Sequence, residues 1–279
     1  VAEKKPKSQR YVYSAASDRG SIRERNEDYY GIFVPDTEEA ADRLGILAVV
    51  SDGMGGHFSG AEASRTAVET IGLTYFEGSD ASVSSIVKSR IATPSRRAAR
   101  ERHSASVVNN LRWSILEANR QVFETVGEGH NGMAGTTCTA IVFLPETMHI
   151  AHAGDSRAYL ARDGELRQLT DDHSVVGEMV RKGMISRKDA NKHPQRNIIT
   201  RAVGLRGQLD IDVEESIPVQ PGDRVLLCTD GLFSMLDEDE ILEIAAQGTP
   251  QKACDKLVRR AKEEGGVDNI TVIIMEKVR

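Results

Sequence analysis

Four aspartates in this chain stand where an apolar, strand-like run begins or ends. Gly45 to Ser51 (Gly-Ile-Leu-Ala-Val-Val-Ser) runs into Asp52-Gly53, and Met148 to Gly154 runs into Asp155. Arg224 to Thr229 runs into Asp230-Gly231, and Asp268 opens Asn269-Ile-Thr-Val-Ile-Ile-Met275. Carboxylates at strand ends can converge on one edge of a sheet without being buried unpaired, and a cluster of them needs cations to hold it together. Oxygen-only ligands suit Mg²⁺ or Mn²⁺, ions that keep several waters and take few protein groups. Two such ions, roughly 3.5–4 Å apart, can share a bridging carboxylate and activate a bridging water. They also neutralise charge on phosphoryl oxygens, so the pattern points to chemistry on phosphate. A nearby arginine would add a bidentate clamp, and Arg23 in Arg-Glu-Arg-Asn-Glu-Asp28 is a candidate. A single one of these aspartates reads as a turn or cap residue. Four at strand termini, two of them followed by glycine, favour metal.

Other chemistries lack their signatures. Asp52-Gly-Met-Gly-Gly56 is glycine-rich, yet no Lys-Ser or Lys-Thr follows it and the Gly-x-Gly-x-x-Gly spacing fails. The seven histidines show no His-x-x-x-His pair and no Cys-x-x-Cys partner, so zinc has little support. His57, His173 and His193 read as loop or surface residues satisfied by local hydrogen bonds. No Gly-x-Ser-x-Gly elbow marks a serine hydrolase. A net charge of −6 speaks against nucleic acid as a partner.

The elements that would position the aspartates follow from periodicity. Residues 11–17 and 29–34 read as strands, and 45–51 as a strand buried on both faces. Gly60 to Phe76 has helical spacing through Ala63, Ala67, Ile71 and Tyr75. Val108, Leu111, Ile115, Ala118, Val122 and Val126 suggest a second helix. Strands follow over 136–144, 147–153 and 157–161, with Asp163-Gly164 as a hairpin turn. Residues 174–193 are polar and helical in pattern. Further strands are expected at 211–217, 224–229 and 269–276, with helices over 237–246 and 250–264 between the last two. Strands and helices are segregated rather than alternating, which favours an α+β fold with largely antiparallel sheets.

Residues 1–10 read as a basic, flexible tail without the apolar core of a secretory signal, and no apolar run approaches the roughly 18 residues of a membrane span. The three cysteines, Cys138, Cys228 and Cys254, are scattered and odd in number, which suits reduced side chains in a cytoplasmic protein. Residues 78–106, serine-rich and then arginine-rich around Thr93-Pro94, read as a solvated surface insertion. A basic arm gripping an acidic or phosphorylated partner is the sharper alternative.

Taken together, the motifs resemble the metal-dependent protein phosphatases, the type 2C serine/threonine phosphatases, and especially their bacterial branch. The matching pieces are Gly20-Ser-Ile-Arg23-Glu-Arg-Asn26-Glu27-Asp28, Ser51-Asp52-Gly53-Met-Gly-Gly56-His and Ala134-Gly135-Thr136-Thr137. Gly154-Asp155-Ser156-Arg157, Thr229-Asp230-Gly231-Leu232 and Asp268-Asn269-Ile-Thr271 follow in the family's order, so the likeness covers about residues 11 to 277 as one catalytic domain. Each motif is weak singly, and the set is specific.

The resemblance implies an α-β-β-α sandwich of two mostly antiparallel sheets flanked by helices, with the metals in a cleft at one end. It implies that Asp52 bridges two ions of Mg²⁺ or Mn²⁺, that the Gly53 carbonyl completes one site, and that Asp230 and Asp268 ligate the other ion. Glu27 and Asp28 would act largely through bound waters, and Asp155 with Asp230 would hold a weaker third ion. Arg23 matches the phosphate-binding arginine, and Asn269 would orient its neighbouring carboxylate. Residues 169–204 match the flap and its anchor. The implied reaction is hydrolysis of phosphoserine and phosphothreonine by in-line attack of a metal-bridging hydroxide, opposed by a cognate serine/threonine kinase; a monomer is the default expectation, because no apolar pattern marks a dimer face. One departure concerns the residue after Asp-Gly. Animal members carry a histidine there, a proposed acid for the leaving alkoxide, whereas this chain has Met54, as bacterial members often do. The rival reading is a non-catalytic, phosphate-recognising regulatory module on the same fold. Such modules usually lose metal ligands, and the matched aspartates are all present here.

Overall fold

The apolar runs are strands covered on both faces. The computed structural model describes residues 10–55, 59–86, 96–127, 134–190 and 192–278. The chain opens with β1 (Tyr11–Asp18), β2 (Asp28–Phe33), α1 (Glu38–Leu44) and β3 (Ile46–Met54). Two long helices follow, α2 (Ser59–Ile86) and α3 (Arg96–Val122), the second ending in a wider turn over Phe123–Gly127. Then come β4 (Gly135–Thr136), β5 (Cys138–Phe143), β6 (Thr147–Ala153), β7 (Arg157–Arg162) and β8 (Glu165–Gln168). An excursion carries α4 (Val175–Arg181) and α5 (Arg187–Ala190) before β9 (Asp212–Pro218) and β10 (Arg224–Cys228). The chain closes with α6 (Asp230–Phe233), α7 (Glu238–Ala245), α8 (Pro250–Glu263) and β11 (Ile270–Lys277).

These strands form two antiparallel sheets. One has the order β1-β11-β10-β7-β8, the other β2-β3-β5-β6-β9 with β4 paired to β3. Alternation along the strands divides their side chains between two cores. Ile46, Ala48 and Val50 of β3 meet Leu227 of β10 and Ile273 of β11 in a core between the sheets. Leu47 and Val49 turn the other way, onto Ala63, Ala67 and Ile71 of α2 and Leu111 and Ile115 of α3. On the far side, Val272 and Ile274 of β11 pack against Leu257 and Ala261 of α8 and Ile241 of α7. The result is the four-layer α-β-β-α sandwich expected.

Local chemistry explains the borders. Asp163 and Gly164 both have positive φ, 52° and 81°, as a two-residue hairpin turn with the twist of its strands requires. Thr37, Ser174, Asp237 and Thr249 each cap a helix by accepting a backbone N–H. The helix expected over Gly60–Phe76 runs on to Ile86, and the next already starts at Arg96. The stretch 78–106 is therefore helical backbone at both ends, because serine is only mildly unfavourable within a helix. Residues 87–95, the basic tail 1–9, and Gly56 and His57 lie outside the described residues. Two short helices, α1 and α6, were not signalled by periodicity, being under two turns or barely one.

Candidate metal centre

The strand ends that carry the carboxylates meet at one end of the sandwich. Asp28 opens β2 and stands directly opposite Asp52 near the end of β3. In the other sheet Cys228, ending β10, pairs with Val272 near the start of β11, so Asp230 and Asp268 flank the same rim. Asp155 follows the end of β6, whose Ala153 pairs with Cys138. A hydrogen bond joins the two sheets here: the Thr229 hydroxyl donates to Asp28 Oδ2 at 2.8 Å. The structure thus brings Asp28, Asp52, Asp155, Asp230 and Asp268 to one cleft.

Threonines fix the backbone around Asp52. Its N–H donates to Thr137 Oγ1 at 2.8 Å, and its carbonyl accepts from Thr137 N at 2.9 Å and Thr136 Oγ1 at 2.8 Å. Thr137 Oγ1 also lies 2.7 Å from Ser156 Oγ, beside Asp155. The Thr-Thr and Asp-Ser motifs therefore form one buried scaffold between two of the carboxylates. Thr229 does similar work, accepting from Thr271 N at 3.0 Å while holding Asp28. None of these hydroxyls was singled out from sequence for a role. Their signal was only that they lie beside the aspartates within the motifs.

Gly53 is required by close approach. A Cβ there would stand 2.1 Å from the Gly60 carbonyl oxygen and 2.6 Å from that of Glu27. Its N–H donates to the Glu27 carbonyl at 3.2 Å, and a Cβ on Gly60 would lie 2.9 Å from Glu27 Oε2. Glu27 is thereby packed against the Gly53–Gly60 contact. Asn269 has a different task from orienting Asp268 with its side chain. That amide accepts from Glu27 N at 2.7 Å and donates to the carbonyls of Arg19 and Arg25, at 2.9 and 2.8 Å, pinning the 19–27 loop. The Asn269 backbone N–H is what holds Asp268 Oδ1, at 2.8 Å. Arg23 is at the site as well, its guanidinium 2.6 Å from Asp268 Oδ2 and half-exposed. Met54 lies beside the cluster with no proton to donate.

The cluster is electrostatically strained. Burial first, and then Asp230 and Asp268, push Asp28 up to about 7 against hydrogen bonds from Thr271 and Thr229. Asp230 rises to about 6, through burial and then Asp268. Asp52 and Asp155 are held well above the usual carboxylate range by burial and by their acidic neighbours. Asp28 Oδ1 and Asp230 Oδ1 are buried with no hydrogen-bond partner. Acceptors left bare in a crowd of like charge are what a hard cation satisfies. Among the described residues no three His, Cys, Asp or Glu side chains form a ready cage around one point. Mg²⁺ and Mn²⁺ do not need one, because waters and a backbone carbonyl fill the remaining positions. The donors fit these ions.

Beside the cluster, a cavity of about 350 Å³ runs between α4 and α6, lined by Asp155, Asp230, Phe233, Val176, Arg181 and Arg196 among others. Arg157 forms part of its wall. It is paired bidentately with Asp172, at 2.7 and 2.9 Å, and stacks 3.7 Å from the Phe233 ring centroid. Of the histidines, His193 makes a local bond, its Nδ1 accepting from Gln195 N at 3.2 Å. His173 is a loop residue, as expected, but not a surface one with local bonds, being 1% exposed and bonded across the fold. Its alternating neighbours gave no burial signal because it sits just beyond a strand and before a helix.

Residues 23–268 match the family described as Protein phosphatase 2C. The serine/threonine phosphatase stp of Listeria monocytogenes is 38% identical over 264 residues, covering 94% of each chain. The PPM Ser-Thr phosphatase MsPP of Mycobacterium smegmatis, solved with cacodylate, superposes with a TM-score of 0.74 at 35% identity, covering 95% of this chain and 97% of that one. The catalytic domain of PstP, solved with two manganese ions, gives 0.71 at 28% identity, over 96% and 99% of the respective chains. The chain belongs to the Protein phosphatase 2C family. Its relatives place it with the bacterial members.

Proposed function

We propose that this protein hydrolyses phosphoserine and phosphothreonine in protein substrates, using divalent cations held by the strand-end carboxylates. The observation that carries this reading is the convergence of five aspartates on one rim, two with bare buried oxygens. Asp52 would serve two ions of Mg²⁺ or Mn²⁺, the Gly53 carbonyl completing the site of one and Asp230 and Asp268 holding the other. Glu27 and Asp28 would reach the ions through water, and Asp155 with Asp230 would take a weaker third. When bound, the ions supply positive charge for the phosphoryl oxygens and lower the pKa of the attacking water.

The chain's own residues account for the other parts. Arg23 is exposed enough to leave Asp268 and clamp a phosphate bidentately, since a cation would take over the charge it now balances. No side-chain nucleophile is available for a phosphoenzyme among the cysteines. All three are free and buried, and burial pushes each thiol up to about 12. Direct attack by water fits this. Thr137, Thr229 and Asn269 keep the carboxylates in place before substrate arrives, so little reorganisation is needed. The cavity between α4 and α6 would receive the residues flanking the phosphorylated one, with 169–204 acting as a flap. With Met54 at the rim, protonation of the leaving alkoxide falls to water. A partner kinase and a cytoplasmic setting belong to the same proposal.

The test is hydrolysis of a phosphothreonine peptide with Mn²⁺, with Mg²⁺ and with a chelator. Turnover that requires a divalent ion and leaves no phosphate on the protein supports the proposal. Turnover undiminished by the chelator contradicts it.

A further inference from the structure

A buried histidine outside the carboxylate cluster ties three separate parts of the fold together. His173 Nδ1 accepts from Gly154 N at 3.1 Å, and the His173 N–H donates back to the Gly154 carbonyl at 2.7 Å. A ring whose Nδ1 accepts carries its proton on Nε2. That Nε2–H therefore donates to Asp212 Oδ2, 3.0 Å away at the start of β9. Arg201 Nη1 donates to the other oxygen, Asp212 Oδ1, at 2.6 Å, so both donors are directed at one carboxylate.

Two consequences follow from this position. Gly154 has φ of 123°, and a Cβ on it would stand 2.6 Å from Thr137 Cβ. Its backbone is thus held by Thr137 on one side and His173 on the other, and Asp155 is the next residue. His173 is also where the α4–α5 excursion leaves and rejoins the sandwich. Ser174 caps α4, Val175 N donates to the Ile198 carbonyl at 2.9 Å, and Thr200 N donates to the His173 carbonyl at 2.8 Å.

We propose that His173 is a positioning residue: its two ring nitrogens tie the backbone that presents Asp155 to the ends of the 174–200 excursion. Movement of the excursion is then transmitted to the affinity for the cation at Asp155. This rests on reading Asp155 as a metal ligand. The two halves of the ring have separable jobs. Nδ1 sets the Gly154–Asp155 backbone, and Nε2, through Asp212, anchors the excursion's return.

Amide substitutions separate the halves. His173→Asn keeps an acceptor near the Nδ1 position and lacks the far donor, whereas His173→Gln keeps a far donor and lacks the near acceptor. Hydrogen exchange of the metal-free proteins is read at the Gly154 amide and over 174–200, and Mn²⁺ binding is titrated calorimetrically. His173→Gln should speed exchange at Gly154 by about tenfold and weaken the weakest Mn²⁺ event by a similar factor. His173→Asn should leave both near wild type and speed exchange over 174–200. Asp212→Asn, which leaves the histidine in place, should reproduce the His173→Asn pattern. Identical exchange and binding profiles for the Gln and Asn variants would overturn the proposal, as general loss of packing predicts. Asp155→Asn run in parallel keeps the underlying reading distinct. If it leaves Mn²⁺ binding unchanged, the metal half falls with that reading. A loss in Asp155→Asn without one in His173→Gln overturns this inference alone.

Discussion

The residues around the cluster are as informative as the carboxylates. An aspartate at a strand end is placed by its own backbone, and for Asp52 that backbone is fixed by Thr136 and Thr137. Thr137→Val keeps the side-chain volume but leaves the Asp52 N–H and the Ser156 hydroxyl without their shared partner. Removing one buried partner typically costs about 1–3 kcal/mol. Chemical denaturation should show a loss in that range, with weaker Mn²⁺ binding, and Thr137→Ser should recover most of both. A valine variant with wild-type stability and metal affinity would show that the scaffold is incidental. His152 tests a different property. Burial first, then His173, lower its pKa to about 4, against Asp172, the Asp171 carbonyl and Asp212. The unfolded chain takes up that proton near pH 6.5 and the folded one near pH 4. Its contribution to stability is therefore fully present above pH 6.5 and is lost as pH falls toward 4, on the order of 3 kcal/mol in all. The crowded carboxylates slope the other way in the metal-free protein, so the quantity to measure is a difference. His152→Gln should remove a pH-dependent loss of stability between pH 6.5 and 4 relative to wild type. Parallel stability curves would refute the assignment.

At the scale of elements, the junction of β3 with α2 carries the most constraint. Gly53 and Gly60 let the end of a strand, the start of a helix and the Glu27 backbone approach within van der Waals contact. Gly53→Ala forces a methyl group toward two carbonyl oxygens, and overpacking against backbone costs about 1–3 kcal/mol or more. We expect a destabilisation above about 2 kcal/mol in urea unfolding, with metal binding impaired; an unperturbed variant would mean that the junction gives way easily. This is also where sequence reading reached its limit. The strands clearest in sequence were those buried on both faces, such as 45–51, because the sandwich leaves them no polar alternation, although the more exposed β1, β2 and β9 were legible too. The Asp163-Gly164 turn was legible because both residues must take positive φ. The short helix α6 was hidden, since its four residues span barely one turn and hold no periodicity. The extent of α2 was hidden for another reason: serine-rich composition reads as a loop, yet serine is only mildly unfavourable within a helix.

For the whole molecule, two covered sheets bring together carboxylates that lie up to 240 residues apart in sequence, from Asp28 to Asp268. Asp52, Asp155, Asp230 and Asp268 were legible because they recur at strand ends, whereas Arg23, Glu27 and Asp28, in or beside the loop before β2, were legible through the motif they share. What was not legible is how they are held. Thr229, Thr271, Ser156 and the side chain of Asn269 act through bonds between distant segments, which no local spacing encodes. A cluster assembled at such electrostatic cost should make stability depend strongly on cations. Mn²⁺ at a hundred times its dissociation constant should stabilise the fold by about 2.7 kcal/mol per site, visible as a rise in Tm that a chelator reverses. A Tm indifferent to Mn²⁺ would argue against binding to the folded state. The most direct test of the central claim is Asp52→Asn, which changes one carboxylate to an amide of the same shape. Mn²⁺ titration and phosphothreonine-peptide hydrolysis would be followed on the same folded samples. Wild type should bind Mn²⁺ and turn over only with it. The variant should lose tight binding and at least about a hundredfold in kcat. A folded variant that keeps both the metal and its turnover would contradict the account.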